Sequence, residues 1–139
     1  MNKKKPRILI IRCGLLGDTI DSTAVVKPLT DYFGDELTID WVTKPNLIDL
    51  FKYDSRISPI VLKFTKLPLL INVGKLKIIF KSYINPYDAV INLEVGSKFE
   101  NFVRLIRAKI KVGQPYKYVA KNIKNEHRVK HQLRILQSY

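Results

Sequence analysis

The amino-acid sequence predicts an α/β protein in which a parallel sheet carries helices on both faces. Short apolar runs rich in β-branched residues are typical of buried strands, and segments with apolar residues at helical spacing separate them. The two kinds of segment alternate along the chain, which favours parallel strands joined by crossover helices. With 139 residues the chain can bury one core and is too short for two ordinary domains.

The first strand and the first helix have the clearest signals. The run "RILIIR", from Arg7 to Arg12, is short and apolar and predicts a buried strand. From Asp18 to Phe33 apolar residues recur at helical spacing, and Gly34 ends the pattern. Because Pro28 lacks a backbone donor inside this segment, we expect the helix to kink or split there.

Four further strands and several helices follow in alternation. The predicted strands cover residues 37–42, 57–62, 87–94 and 110–116 (the last with its turn), and the predicted helices cover 45–53, 73–83, 97–109 and a last one from residue 125. Ser97 and Glu100 have the spacing of a capping box, which predicts that the helix begins at Ser97.

The composition is typical of a globular protein, with 46% hydrophobic and 27% charged residues. Cys13 is the single cysteine, which excludes an internal disulfide framework and fits a reducing, cytoplasmic compartment. We interpret it as a small buried residue, because no histidine lies near it in sequence to activate it. No group of Cys and His has metal-ligand spacing, and the apolar runs are too short to span a bilayer, so we expect a soluble protein without a metal.

Positive charge is concentrated in the second part of the chain. Residues 1–60 hold 9 Lys/Arg and 8 Asp/Glu, whereas residues 61–139 hold 16 Lys/Arg and 4 Asp/Glu, a net charge of +12. A field of this sign favours polyanions such as nucleic acid, an anionic membrane surface or a phosphorylated substrate. Solubility alone is the alternative explanation.

The turn after the first strand, Gly14-Leu15-Leu16-Gly17-Asp18, is the candidate site. It has neither the dinucleotide-binding glycine spacing nor the Lys-Ser/Thr of a phosphate-binding loop. Ligands of parallel α/β sheets bind at the carboxyl ends of the strands, where this turn lies. Asp18 is interpreted either as the N-cap of the following helix or as a general base, and the two roles are compatible because a helix start favours an ionised carboxylate.

Several segments together resemble the amino-terminal domain of the bacterial heptosyltransferases, which are glycosyltransferases of family 9. That family has segments of the types "ILIIR", "SSLGD", "TTPAVRALKEAFP" and "IDWLV", and this chain has "ILIIR", "CGLLGD", "STAVVKPLTDYFG" and "IDWVT" in the same order. "YDAVINLEVGSKFENFVRLIRAKIKVG" and "HRVKHQLRIL" resemble later family segments, while residues 63–86 have no counterpart. The resemblance implies a Rossmann-like domain that forms the amino-terminal half of a GT-B glycosyltransferase.

The resemblance also implies a reaction. The family transfers heptose from an ADP-sugar to the inner core of lipopolysaccharide, with inversion, and the aspartate of its "LGD" loop is the base on the acceptor hydroxyl. Asp18 matches that aspartate. No cofactor or metal is expected, since cationic groups and helix amino termini can stabilise the departing diphosphate.

The expected partners are a phosphorylated, lipid-linked saccharide acceptor and a nucleotide-sugar, with peripheral contact at the cytoplasmic face of the inner membrane and no nucleic acid. The candidate acceptor-binding residues are Gly14, Gly17, Lys63, Lys66, Lys98 and His127. Each lysine also has an ordinary interpretation as a solvated surface residue, and His127 as a structural one.

The predicted domain covers residues 1–126, and residues 127–139 begin a helix that leads toward a second domain. In the family that second domain holds most of the nucleotide-sugar, so we expect this chain alone to be inactive. Gly14 and Leu15 stand where the family usually has two serines or glycines before Leu-Gly-Asp, and this difference leaves the identity of the acceptor open. The alternatives are a basic nucleic-acid-binding module and a stand-alone nucleotide-binding domain of the same fold.

Overall fold

Five parallel strands form one sheet at the centre of the protein. The structure, a computed structural model, describes residues 4–14, 16–62, 72–94 and 99–113, with Asp18 described by its backbone. The strands are β1 (Arg7–Ile11), β2 (Thr38–Thr43), β3 (Ile57–Val61), β4 (Tyr87–Asn92) and β5 (Ala108–Gly113), and their order is β3-β2-β1-β4-β5. Every neighbouring pair is parallel. The predicted α/β fold with a Rossmann-like parallel sheet is therefore confirmed.

Helices connect the strands. They are α1 (Leu16–Ser22), a 3₁₀ turn (Thr23–Val25), α2 (Val26–Phe33), a 3₁₀ helix (Pro45–Phe51), α3 (Val73–Ile84) and α4 (Glu100–Leu105). The predicted split of the first helix is confirmed, but it lies at Thr23–Val25, before Pro28. Pro28 is the third residue of α2, where a missing backbone donor is tolerated, and the 3₁₀ turn before it separates α1 from α2.

Side chains alternate across the sheet and so divide the core into two layers. Ile8 and Ile10 of β1 pack on one face with α2, and Leu9 and Ile11 pack on the other with α3 and α4. All four side chains are fully buried. The near-continuous apolar sequence of β1 follows from this arrangement, because a central parallel strand is covered on both faces.

The helix predicted from Ser97 to Lys109 is shorter in the structure, so both predicted ends are wrong. It begins at Glu100, with Phe99 at the N-cap and no side-chain cap bond. Ser97, the other member of the predicted capping box, lies outside the described residues. Ile106 is already extended, and β5 begins two residues later. The helix predicted from residue 125 lies outside the described residues.

A polar cluster closes the amino end of the sheet. Arg7 Nη2 donates to Asp40 Oδ2 at 3.1 Å and Nη1 donates to Asn85 O at 2.8 Å, while the guanidinium carbon lies 4.5 Å from the centre of the Tyr87 ring. The Tyr87 hydroxyl donates to the same Asp40 oxygen at 2.7 Å. The cluster therefore joins the side chains of β1, β2 and β4 near the amino ends of these strands.

None of the helices among the described residues has the length and apolar character needed to cross a membrane.

Candidate active site at the carboxyl end of the sheet

The chain after β1 continues between the ends of two neighbouring strands. The Arg12 N–H donates to Val42 O at 3.4 Å, and the Leu93 N–H donates to Ile11 O at 3.0 Å. The end of β1 and the residue after it, which lead into the predicted site loop, are therefore held on both sides by backbone hydrogen bonds. This places the loop at the carboxyl edge of the sheet, as predicted.

Arg12 and Glu94 form a clamp between the ends of β1 and β4. Arg12 Nη1 donates to Leu93 O at 3.2 Å and lies 3.6 Å from Glu94 Oε2. The other oxygen of Glu94 accepts the Cys13 N–H. Both charged side chains are at most 14% exposed. Because water screens such a pair little, the clamp fixes the backbone at Cys13 relative to β4.

The end of β5 approaches β4 at a glycine. Gly113 has φ of +88°, and a Cβ built there would lie 2.1 Å from Asn92 O. Asn92 is fully buried, and its Oδ1 accepts the Glu94 N–H at 3.1 Å. Only glycine permits both this φ and this approach, so Gly113 supports the turn that carries Glu94.

Cys13 is buried, with 2% of its surface exposed, and its thiol lies 3.5 Å from Val42 O as a weak donor. The Trp41 indole N–H donates to Arg12 O at 3.4 Å beside it. The interpretation of Cys13 as a small buried residue is confirmed.

Asp18, the last residue of the predicted turn, lies within α1. The helix α1 begins at Leu16, so Asp18 is its third residue and the N-cap interpretation is wrong. The helix begins earlier than its apolar pattern predicts, because the pattern has no signal at Leu16 and Gly17.

The two glycines of the turn have different surroundings. Gly14 is half-buried after the clamp, whereas Gly17 is an exposed residue of α1. Apart from its chain neighbours and the backbone of its own helix, no heavy atom of the described residues lies within 4 Å of a Cβ built on Gly17, so packing against them does not require glycine there. The open space beside Gly17 leaves room for a ligand to approach the first turn of α1.

Among the predicted site residues, Gly14 lies before α1, and Gly17 and Asp18 lie in its first turn, so the three are neighbours in the sequence. The other four, Lys63, Lys66, Lys98 and His127, lie outside the described residues. Arg12, Glu94 and Asn92 were missed by sequence reasoning. The available signal was their position, since Arg12 ends an apolar run and Glu94 follows one.

Sequence reasoning also missed Lys75, which is a buried lysine. It is the third residue of α3 and is 3% exposed. Its ammonium lies 4.5 Å from the ring centre of Phe99 and 5.9 Å from that of Phe102. The two rings stabilise a cation between the amino-terminal turns of α3 and α4, beside the carboxyl edge of the sheet.

Across residues 4–14, 16–62, 72–94 and 99–113, no group of three or more His, Cys, Asp or Glu side chains is arranged to hold a metal ion. The predicted absence of a metal stays a prediction.

Known protein families and curated proteins offer no sequence match to this chain. Solved structures do match in fold. A family 9 glycosyltransferase from Veillonella parvula is 22% identical, with a TM-score of 0.76 over 96% of this chain and 40% of that protein. The E. coli heptosyltransferase WaaC with ADP is 16% identical, with a TM-score of 0.69 over 93% of this chain and 46% of that protein.

A third solved structure, Acinetobacter baumannii MurG, is 17% identical, with a TM-score of 0.53 over 94% of this chain and 38% of that protein. The chain therefore spans less than half the length of each of these three proteins. At these identities the similarity establishes the fold: a Rossmann-like α/β domain of the kind found in GT-B glycosyltransferases.

Proposed function

We propose that the chain is the acceptor-side, amino-terminal domain of a heptosyltransferase-like glycosyltransferase. The observation that carries this proposal is the fold similarity, over more than nine-tenths of the chain, to a family 9 glycosyltransferase and to a heptosyltransferase with ADP. The collinear sequence segments support the same family independently of the fold. In this proposal heptose moves from an ADP-sugar to the inner core of lipopolysaccharide, and the nucleotide-sugar is held mainly by a second domain.

Asp18 is the proposed base. The acceptor hydroxyl oxygen attacks the anomeric carbon, the bond from that carbon to the diphosphate oxygen breaks, and the diphosphate leaves with the electron pair. The hydroxyl proton passes to the Asp18 carboxylate. Attack opposite the leaving group inverts the anomeric configuration. The position of Asp18 in the first turn of α1 supports this role, because the helix dipole favours the ionised carboxylate.

The Arg12–Glu94 clamp is the proposed support for that base. Glu94 accepts the Cys13 N–H, and Arg12 is held to the end of β4, so the turn that leads to Asp18 starts from a fixed point. A base must stay within hydrogen-bond reach of the proton it removes, and small displacements slow a reaction strongly. No metal enters this mechanism, and cationic groups balance the charge of the departing diphosphate.

The proposed acceptor is phosphorylated and linked to lipid, which fits the excess of positive charge after residue 60. Lys63, Lys66, Lys98 and His127 remain candidate contacts to it, together with Gly14 and Gly17. The enzyme would act at the cytoplasmic face of the inner membrane as a peripheral protein.

The proposal is tested by replacing Asp18 with Asn in a two-domain protein that contains this chain. We expect turnover, measured as ADP release from ADP-heptose with a lipopolysaccharide inner-core acceptor, to fall by a factor of about 10² to 10⁴. Asp21→Asn is the matched control, because Asp21 lies on the same short helix one turn later. Near-normal turnover of Asp18→Asn, with no greater effect than the control, would remove Asp18 from the mechanism.

A further inference from the structure

The outer side of α3 carries a continuous apolar stripe. Its members recur at helical spacing along one side of the helix and are between 38% and 75% exposed: Val73, Leu76, Phe80, Tyr83 and Ile84. Single exposed apolar residues are common on soluble proteins, but five on one helix face form a patch. Such patches mark surfaces that contact another apolar partner.

The stripe is not a remnant of an incomplete core, because α3 already has a buried side. Lys75, Ile78 and Ser82 on that side are each at most 5% exposed. Asn72 caps the helix by accepting the Lys75 N–H at 3.1 Å, and the Ser82 hydroxyl accepts the Arg107 N–H at 3.0 Å. The helix is therefore capped at its start and joined through Ser82 to the residues after α4, while its outer stripe faces solvent.

The charged residues of α3 are all of one sign. Lys77 and Lys81 are exposed on the same helix, and α3 contains no carboxylate. Between Asp54 and Asp88 the sequence has six Lys or Arg residues and no Asp or Glu. A partner for this face must therefore accept apolar side chains and positive charge together.

The helix α2, on the other face of the sheet, has the charge pattern of an ordinary solvent-exposed helix. Its exposed Lys27 pairs with Asp31 at 3.0 Å, so the charges on its surface are balanced. Tyr32 is exposed beside that pair, without the row of apolar residues that α3 carries. The combination on α3 is specific to that helix among those the structure describes.

We propose that the outer face of α3 docks on an anionic lipid surface. Phe80, Val73 and Ile84 would enter the boundary between headgroups and acyl chains, Tyr83 would keep its hydroxyl in the headgroup layer, and Lys77 and Lys81 would contact lipid phosphates. An interfacial helix of this kind needs an apolar side, flanking lysines and no carboxylates, and α3 has all three.

Charge disfavours the other occupants of the stripe. A second copy of the chain would place lysines against lysines with no carboxylate on either helix, so the contact would be repulsive. A nucleic acid would satisfy the lysines but leave the apolar stripe in water. The first turn of α3 lies beside Leu62, directly after β3, so this end of the helix is near the carboxyl edge of the sheet, whereas Ile84 is near the amino edge, three residues before β4. The inference does not depend on the proposed reaction.

Vesicle co-sedimentation tests the proposal without any sugar transfer. The 139-residue chain is mixed with vesicles of equal parts phosphatidylglycerol and phosphatidylcholine, and in parallel with phosphatidylcholine alone. We expect binding to the anionic vesicles only. Phe80→Ser should weaken it on the order of tenfold, and K77E/K81E by at least as much at low salt.

The matched controls are Tyr32→Ser for the aromatic change and K5E/K52E for the charge change, since all three residues are exposed and none belongs to α3. We expect both controls to bind within about twofold of the parent chain. Circular dichroism melting verifies that each variant is folded. Because the altered residues are exposed, we expect the melting temperatures to stay close to that of the parent.

Three results would overturn the proposal. They are absence of binding to anionic vesicles, equal loss in the α3 and control variants, and a concentration-dependent dimer in gel filtration that Phe80→Ser dissolves. The second would assign binding to net charge alone, and the third would assign the stripe to a second copy. Loss of transfer by Asp18→Asn bears on none of these, so the proposed reaction and the docking surface fail separately.

Discussion

The two ends of β1 each carry an arginine, and the two arginines have different surroundings. At the amino end, Arg7 pairs with the Asp40 side chain of β2 and stacks on Tyr87 of β4. At the carboxyl end, Arg12 pairs with Glu94, which also accepts a backbone N–H from Cys13. The first cluster joins side chains to one another, whereas the second joins a side chain to the backbone of a loop.

This difference separates stability from function. Hydrogen bonds among Arg7, Asp40 and Tyr87 hold three strands together at the edge of the sheet where no step of the proposed mechanism takes place. The bonds of Glu94 determine where the turn toward Asp18 begins, and a parallel sheet presents ligands at that edge. Changes at the amino end should therefore alter the free energy of unfolding, and changes at the carboxyl end should alter both unfolding and transfer.

The largest expected loss of stability comes from a substitution at the carboxyl end of the sheet. In Gly113→Ala the new Cβ would lie 2.1 Å from Asn92 O on a backbone with φ of +88°. We expect the free energy of unfolding, from urea denaturation, to fall by at least about 3 kcal/mol, because backbone must move. Gly34→Ala is the matched control: its φ is +93°, but its Cβ meets no atom within 4 Å, so a loss of about 1 kcal/mol is expected. Equal losses would show that the approach to Asn92 is unimportant.

The second prediction concerns the amino end and pH. Burial, followed by the hydrogen bond to Asp40, raises the pKa of Tyr87 well above its ordinary value of 10.0. A raised folded-state pKa means that this contribution to stability is present below pH 10 and is lost as the pH rises toward the folded-state pKa. The free energy of unfolding should fall by up to about 1.4 kcal/mol per pH unit above pH 10.

Tyr87→Phe is the control for this alkaline dependence. It removes the ionisable group, so the slope above pH 10 should become shallower, although the variant loses the hydrogen bond at neutral pH as well. An unchanged slope, measured by denaturation across the alkaline range, would show that another group causes it. Alkaline sensitivity of the fold would then not belong to the amino-end cluster.

The sequence predicts the strands well but does not predict the contacts at the carboxyl end of β1. The strands follow from apolar runs, and the split before Pro28 follows from the chemistry of proline. The Arg12–Glu94 clamp joins residues 82 positions apart, and no local pattern shows which charge meets which. The loop could be placed at the correct edge, but its supporting contacts needed the register of β1 and β4.

Helix α3 shows a second limit. Its pattern predicts a helix over residues 73–83, and the structure has one over Val73–Ile84. An amphipathic pattern would place lysines in solvent and large apolar residues inside, yet Lys75 is buried and Phe80 is 68% exposed. The rings of Phe99 and Phe102, which come from α4, make the buried side favourable for a cation.

The smallest expected change in stability gives the sharpest comparison of the two ends. Asp40→Asn and Glu94→Gln each replace a carboxylate by an amide of the same shape, one in each cluster. Because both keep an acceptor oxygen and lose an ion pair, each should lower the free energy of unfolding by about 1 kcal/mol. In a two-domain protein, Glu94→Gln should also reduce turnover roughly tenfold, since the fixed point before Asp18 is weakened, while Asp40→Asn should leave turnover within about twofold.

If the two variants lose turnover equally, position in the sheet does not separate stability from function. If Glu94→Gln loses stability alone, the clamp supports the fold and not the base.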